Sequence, residues 1–160
     1  MAQYWTLAHI LSVVAFLSCH GASMFALFRI RSLGNDRAKI ADTISFSGTT
    51  SKPMYVALIA LVVAGFGSAA TGPWGLNDTW IWAALGVLVI TTGLMTAIAK
   101  PYFKKVSAAC ALRPSGVPRV SDEELRELVR SKASALVMAI GIGGLALIVW
   151  LMVFKPGKRF

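Results

Sequence analysis

Two histidines, His9 and His20, are the only His, Asp, Glu, Lys or Arg side chains set inside the long apolar stretches of this 160-residue sequence. They stand eleven positions apart in the block running from Tyr4 to Phe28. A helix advancing about 100° and 1.5 Å per residue puts them on one face, roughly 16 Å apart, one toward each leaflet of a bilayer. A neutral imidazole is a good axial ligand for haem iron, and cofactor pockets are built between the helices of bundles. His9 and His20 are therefore candidate cofactor-binding residues, for haem b or for a quinone contact. The sequence holds no third histidine. A haem would take its second ligand from another chain, remain five-coordinate, or use Met54, Met95 or Met138. A copper site would draw on Cys19, His20 and Met24, soft ligands on one helix that form no repeated Met or Cys motif. Each histidine also suits a plain hydrogen bond to a neighbouring helix.

The missing residue types narrow the function further. No Asp, Glu, Lys or Arg lies in the middle of an apolar block, whereas ion-coupled carriers and proton relays use intramembrane charge. The sequence has no phosphate-binding loop and no Ser-His-Asp or Cys-His-Asp set within one leaflet, and its few carboxylates fall at surfaces. We therefore expect neither catalysis by the chain's own groups nor a protein-built metal site. Cys19 and Cys110 sit at different depths and read as free thiols. The net charge of +9 lies on loops that suit an anionic inner leaflet or an acidic partner, and no nucleic-acid motif accompanies it.

The elements that position the histidines follow from composition. Hydrophobic residues make up 56% of the chain and charged residues 14%, against about 25% charged in an ordinary soluble domain. The apolar residues gather in four blocks, 4–28, 54–71, 79–99 and 133–154, each near the roughly 20 residues that a spanning helix needs. The expected fold is an all-α integral membrane bundle of four transmembrane helices forming one domain over 1–160. The first block has no basic leader and reads as a retained helix rather than a cleaved signal.

Basic residues set the expected orientation. Arg29, Arg31, Arg37, Lys39 and Lys52 lie between the first two spans. Lys100, Lys104, Lys105, Arg113, Arg119, Arg126, Arg130 and Lys132 lie between the last two. The 72–78 turn has no Lys or Arg. The positive-inside rule puts both basic loops in the cytoplasm of a bacterial-type membrane and both termini outside, against the local charge of Lys155, Lys158 and Arg159. Trp5, Trp74, Trp80, Trp82 and Trp150 all fall at the expected outer ends, as an interfacial belt would. The inner ends carry Phe28, Tyr55, Tyr102 and Phe103.

Local signals bound the helices. Ser51-Lys52-Pro53 reads as a helix start with a capping hydroxyl, and Asn77 and Asp78 are candidate caps for the third span. That span should end at Lys100-Pro101, because a proline pushes its predecessor out of helical geometry. Ser121-Asp122-Glu123-Glu124 is a capping box, and Glu123–Arg126 and Glu127–Arg130 pairs should carry a helical extension over 122–132 straight into the fourth span. Ile40 and Ile44 share a face, which suggests a short surface helix in the first loop. Ser107 to Pro118 reads as irregular linker.

Small residues should hold the bundle together, since apolar side chains gain little by leaving lipid for one another. The expected stripes are Ala22 and Ala26, Gly65 and Ala69, Gly86 and Gly93, and Ala139 and Gly143. Through Leu7-Ala8-His9-Ile10-Leu11, Gly21-Ala22-Ser23, the basic exit Arg29 to Arg31, and Thr92-Gly93-Leu94, the chain resembles an uncharacterised group of small bacterial four-span membrane proteins. It is also distantly similar to the copper-resistance D-type membrane proteins. The resemblance implies the same four-helix plan, without the rich Met and His content that copper handling implies. The leading functional expectation is a non-catalytic accessory subunit of a larger bacterial membrane complex in respiratory or photosynthetic electron transfer, with other membrane subunits as partners. The alternatives are a haem b or quinone-binding redox protein using His9 and His20, and a passive carrier of a small solute.

Overall fold

The computed structural model describes residues 1–73 and 75–157. Trp74, Lys158 and Arg159 lie outside the described residues. Among the described residues six helices follow in order: α1 Ala2–Ser32, α2 Arg37–Thr49, α3 Ser51–Thr71, α4 Thr79–Cys110, α5 Asp122–Val129 and α6 Lys132–Phe154. Among the described residues there is no strand, only an isolated bridge between Leu112 and Pro118. Four helical stretches, Ala2–Ser32, Arg37–Thr71, Thr79–Cys110 and Asp122–Phe154, are long and apolar enough to cross a membrane. The all-α bundle of four spans is thus the observed fold.

Three helix ends differ from the sequence expectation. The short helix α2 does form, with Asp36 at its N-cap accepting from the Lys39 N–H at 3.1 Å. It then runs almost unbroken into α3 through Thr50. Because α2 already supplies hydrogen-bond acceptors, the start of α3 has no orphan N–H row to cap. Ser51 accordingly turns its hydroxyl back to the Ser47 carbonyl at 3.4 Å instead of capping forward.

The second difference is at Pro101, where α4 does not stop but continues to Cys110. A proline inside a helix costs about 3 kcal/mol. What offsets it is burial immediately beyond, where Tyr102, Val106, Ala109 and Cys110 all enter a packed core. The third is at Arg130-Ser131, where the extension over 122–132 breaks into α5 and α6. Ser121 caps α5 as expected, accepting from the Glu124 N–H at 3.1 Å, and Glu123 pairs with Arg126 at 3.3 Å. Glu127 and Arg130 form no ion pair, since Arg130 is already the C-cap and has left helical spacing. Asp78 occupies the N-cap of α4 without a side-chain cap bond.

The four spans form two antiparallel hairpins. The first pairs α1 with α3 and the second pairs α4 with α6, while the hairpins themselves touch much less. Small residues explain the close pairing. Trp5 lies flat on Gly67 and His9 on Gly65, so that α1 and α3 approach where α3 has no side chain. Thr6 and Ser68 add a hydroxyl pair at 2.9 Å. In the second hairpin Thr91 of α4 packs on Gly144 of α6. The expected stripes at Gly86 with Gly93 and at Ala139 with Gly143 are not used within the chain. The three glycines have open space around them, and Ala139 is exposed.

The densest packing lies at the end that carries the basic loops. Leu27 and Ile30 of α1, Ile40 of α2, Val106 of α4, Leu125 and Val129 of α5 and Val137 of α6 form one cluster there. The Arg37 guanidinium crosses that end, donating to the Ala109 carbonyl at 2.7 Å, the Val120 carbonyl at 2.8 Å and the Asp122 carboxylate at 2.7 Å. Arg31 reaches Ser134 at 3.3 Å, and the Tyr102 hydroxyl donates to the Val129 carbonyl at 3.1 Å. Joined at this cap, the hairpins stand apart toward the middle of the spans.

Candidate functional site: a cavity between two helical hairpins

The gap between the hairpins is a cavity of about 330 Å³. Its lining comes from five elements, including Phe16, His20 and Met24 of α1, Ser47 of α2, Tyr55 of α3, Thr91 and Met95 of α4 and Gly141 of α6. Lys100 borders it toward the basic end. The wall is predominantly apolar with a few polar groups, which is the usual make-up of a small-molecule site.

His20 is the most distinctive of those groups. Its ring stacks on Phe16, with centroids 5.6 Å apart and planes inclined by 13°. That contact fixes the imidazole against α1, and Gly141 leaves room for it on the opposite side. The Nε2 atom is closed off from the surface and has no hydrogen-bond partner within the protein. A buried polar atom without a partner costs about 1–3 kcal/mol. In a cavity lining, such an atom is where a ligand's polar group would be held. The Met24 sulfur and the Met95 methyl approach the same point over Gly141, each 3.4 Å from where a Cβ would stand. On the α2 side Ser23 and Ser47 share a hydrogen bond at 2.8 Å, which satisfies both hydroxyls.

His9 has a different environment, although it shares the His20 side of α1. Its Nδ1–H donates to the Leu61 carbonyl at 2.9 Å, one turn below the Gly65 on which the ring rests. The imidazole thereby ties α1 to α3 and does not line the cavity. The two candidate histidines are therefore split between a helix-pairing contact and a cavity wall. Of the methionines that could complete a ligand set, Met54 and Met95 line the cavity, whereas Met138 packs against the cluster at the basic end. Cys19 is free and outside the cavity, so the trio of Cys19, His20 and Met24 does not converge. Among the described residues no three His, Cys, Asp or Glu side chains are grouped to hold a metal.

Sequence reasoning missed Gly141, Thr91 and Thr92. The signal available was the run Gly141-Ile142-Gly143-Gly144, three glycines in one apolar turn. Such a run marks a place where something approaches the backbone closely. It did not say which glycine faces inward. The structure turns Gly141 to His20 and Gly144 to Thr91, and leaves Gly143 facing out.

Compared with protein-family models, with curated proteins and with solved structures, the chain matches none.

Proposed function

We propose that this chain is a non-catalytic membrane protein that holds the ring of a quinone-class molecule in the cavity between its two hairpins. The observation that carries the reading is His20, a residue of the cavity wall whose buried Nε2 has no partner within the protein. In one tautomer it donates a hydrogen bond to a ring carbonyl, and in the other it accepts one from a ring hydroxyl. One side chain thus accommodates both redox forms. The apolar wall of Phe16, Met24 and Met95 suits a flat, weakly polar ring.

Haem b is the poorer fit. The volume of about 330 Å³ is at the low end of ligand sites, which run from roughly 300 to 1,000 Å³, and a porphyrin needs far more. His20, Met24 and Met95 also crowd one point, each 3.4 Å from where a Gly141 Cβ would stand, whereas two axial ligands must leave a macrocycle between them. With the basic loops in the cytoplasm, as their charge requires, the site lies in the inner half of a bacterial cytoplasmic membrane.

The test is extraction of the protein with its native lipids, followed by chemical identification of what it retains. Stoichiometric quinone that disappears in His20→Ala supports the reading. A colourless preparation carrying none, and binding no added quinone, removes it.

A second reading, an accessory subunit of an electron-transfer complex, is favoured by a separate observation. Gly86, Gly93 and Gly143 present open, outward-facing backbone, with Ala135 and Ala139 exposed on the same helix as Gly143. These small-residue faces suit a neighbouring transmembrane helix. Purification in mild detergent with identification of every chain recovered tests it, and recovery of this chain alone counts against it.

A further inference from the structure

On the side between α3 and α4 the cavity adjoins a second hollow. Few backbone approaches join these helices. They meet through side chains at two heights. Near the tryptophan end Phe66 and Trp82 approach with ring centroids 6.0 Å apart. Near the basic end the Tyr55 and Thr96 hydroxyls are 3.4 Å apart.

Between those two contacts runs a second hollow of about 390 Å³, lined by Ile59, Val62 and Val63 of α3, Leu85 and Val89 of α4, and by Leu58, Leu88 and Thr92. The last three residues also line the cavity, so the two spaces adjoin each other at these side chains. On α3 the lining positions advance as 58, 59, 62 and 63, and on α4 as 85, 88, 89 and 92, one apolar face from each helix. Apart from the Thr92 hydroxyl, nothing polar lines this groove.

Its dimensions select the occupant. The stretch Leu85 to Thr92 is about 10 Å long at 1.5 Å per residue, and a helix with its side chains is about 10–12 Å across. A whole helical segment of that length has a volume of about 800–1,100 Å³, so a hollow of about 390 Å³ takes at most one face of a helix. A hydrocarbon chain is far thinner and fits.

We propose that the groove between α3 and α4 receives the tail of the ligand whose ring occupies the cavity. The ligand is then a long-chain, membrane-dissolved quinone that reaches the site sideways from the bilayer, ring first. This inference rests on the reading of the cavity as a ring site. The window framed by Phe66–Trp82 and Tyr55–Thr96 is its path. The ring's polar group meets His20, while the tail stays in the groove in an environment that differs little from lipid.

The full-length protein in lipid nanodiscs tests this with two photoreactive probes. One is a benzoquinone bearing a ten-carbon chain with a diazirine at its end, and the other is the same chain and diazirine without the ring. After illumination, labelled peptides are mapped by mass spectrometry.

The expected result for the ring-bearing probe is labelling at 58–63 and 85–92 at least fivefold above the exposed residues Ile142, Ala146, Leu147 and Val149. That labelling falls to the background in His20→Ala, and Val62→Phe or Val89→Phe moves it out of the groove. The ringless probe should label all lipid-facing surfaces alike. Labelling by the ring-bearing probe that depends on His20 but concentrates elsewhere overturns the tail path and leaves the ring site standing. Diffuse labelling that ignores His20 overturns both. Equal concentration of both probes in the groove shows an ordinary lipid chain there, and also overturns the inference.

Discussion

His20 and Gly141 are neighbours in the cavity wall: a Cβ built on Gly141 would stand 3.4 Å from the His20 Nε2. The Met24 sulfur and the Met95 methyl lie equally close to that point. The missing side chain at 141 is what keeps room between α1 and α6 beside the imidazole. Gly141→Val should therefore fill the space that the ring needs. We expect quinone binding to weaken at least tenfold, with helix content by circular dichroism unchanged. Gly143→Val, facing outward, should leave binding within twofold.

Arg37 makes three charge-assisted hydrogen bonds at the basic end, and only 13% of its side chain is exposed. Hydrogen bonds to charged groups are worth about 1.5–3 kcal/mol. Arg37→Ala should lower stability by about that much in thermal unfolding followed in detergent. Arg37→Lys should restore little, because an ammonium lacks the planar fork that reaches three acceptors at once. Asp122→Ala should cost less, about 0.2–1 kcal/mol, since that carboxylate is 61% exposed and its pair is screened by water.

The glycines divide into two classes that a stability measurement can separate. At Gly67 an added Cβ would collide with the Trp5 ring, and at Gly65 it would press on His9 at 3.1 Å. At Gly86 and Gly93 it would meet nothing within 4 Å. Gly67→Ala should destabilise the first hairpin by about 1–3 kcal/mol, as overpacking does. Gly86→Ala should be neutral or slightly stabilising in the isolated protein, because alanine is the better helix former by about 1 kcal/mol. If a partner helix packs on α4, the same Gly86→Ala change should reduce its recovery in mild detergent.

Pro101 is exposed and interrupts the hydrogen-bond ladder of α4. Pro101→Ala returns an N–H to that ladder, but it also frees the unfolded chain, which offsets part of the gain. The expected net effect is a rise of a few degrees in melting temperature. A fall would mean that the proline bend aims Tyr102 and Val106 into the core.

Asp36 caps α2 from outside the spans. Its side-chain bond with Lys39, at 2.7 Å, and its bond from the Lys39 N–H hold the carboxyl below its usual range. A depressed carboxyl pKa contributes stability that is present at neutral pH and is lost as pH falls through the folded-state value. Asp36→Ala should therefore be less stable than the parent at pH 7. The difference in melting temperature should shrink steadily as the pH is taken from 5 to 3. A difference that grows in acid would contradict the assignment.

The four spans were legible because hydropathy is additive along a chain and lipid leaves the backbone no alternative to helix. The capping box at Ser121 was legible for a similar reason, since its partners lie within one turn. What escaped was non-local. Nothing in the order of residues says that Tyr102 and Val106 find Leu125 and Ile40, and that burial is what carries α4 through Pro101. Arg37 read as one more surface charge, because its acceptors are main-chain carbonyls far along the chain. His9 and His20 could not be told apart by spacing on one helix. The distinction came from α3, which offers His9 a carbonyl at Leu61, and from α6, which offers His20 only a glycine.

The Arg37 clamp also bears on how the chain is made. Its three acceptors lie 72, 83 and 85 residues downstream. When α1, α2 and α3 have left the ribosome, the first hairpin has all its pairing residues in hand, from Trp5 on Gly67 to His9 on Gly65. The arginine at that moment has none of its own. It must wait, hydrated at the membrane surface, through the synthesis of α4 and the start of α5. Completion of the clamp is thereby tied to the arrival of Asp122, and a chain truncated before that residue would hold the first hairpin and α4, with the arginine's two carbonyl acceptors but neither its carboxylate nor the α6 that completes the second hairpin.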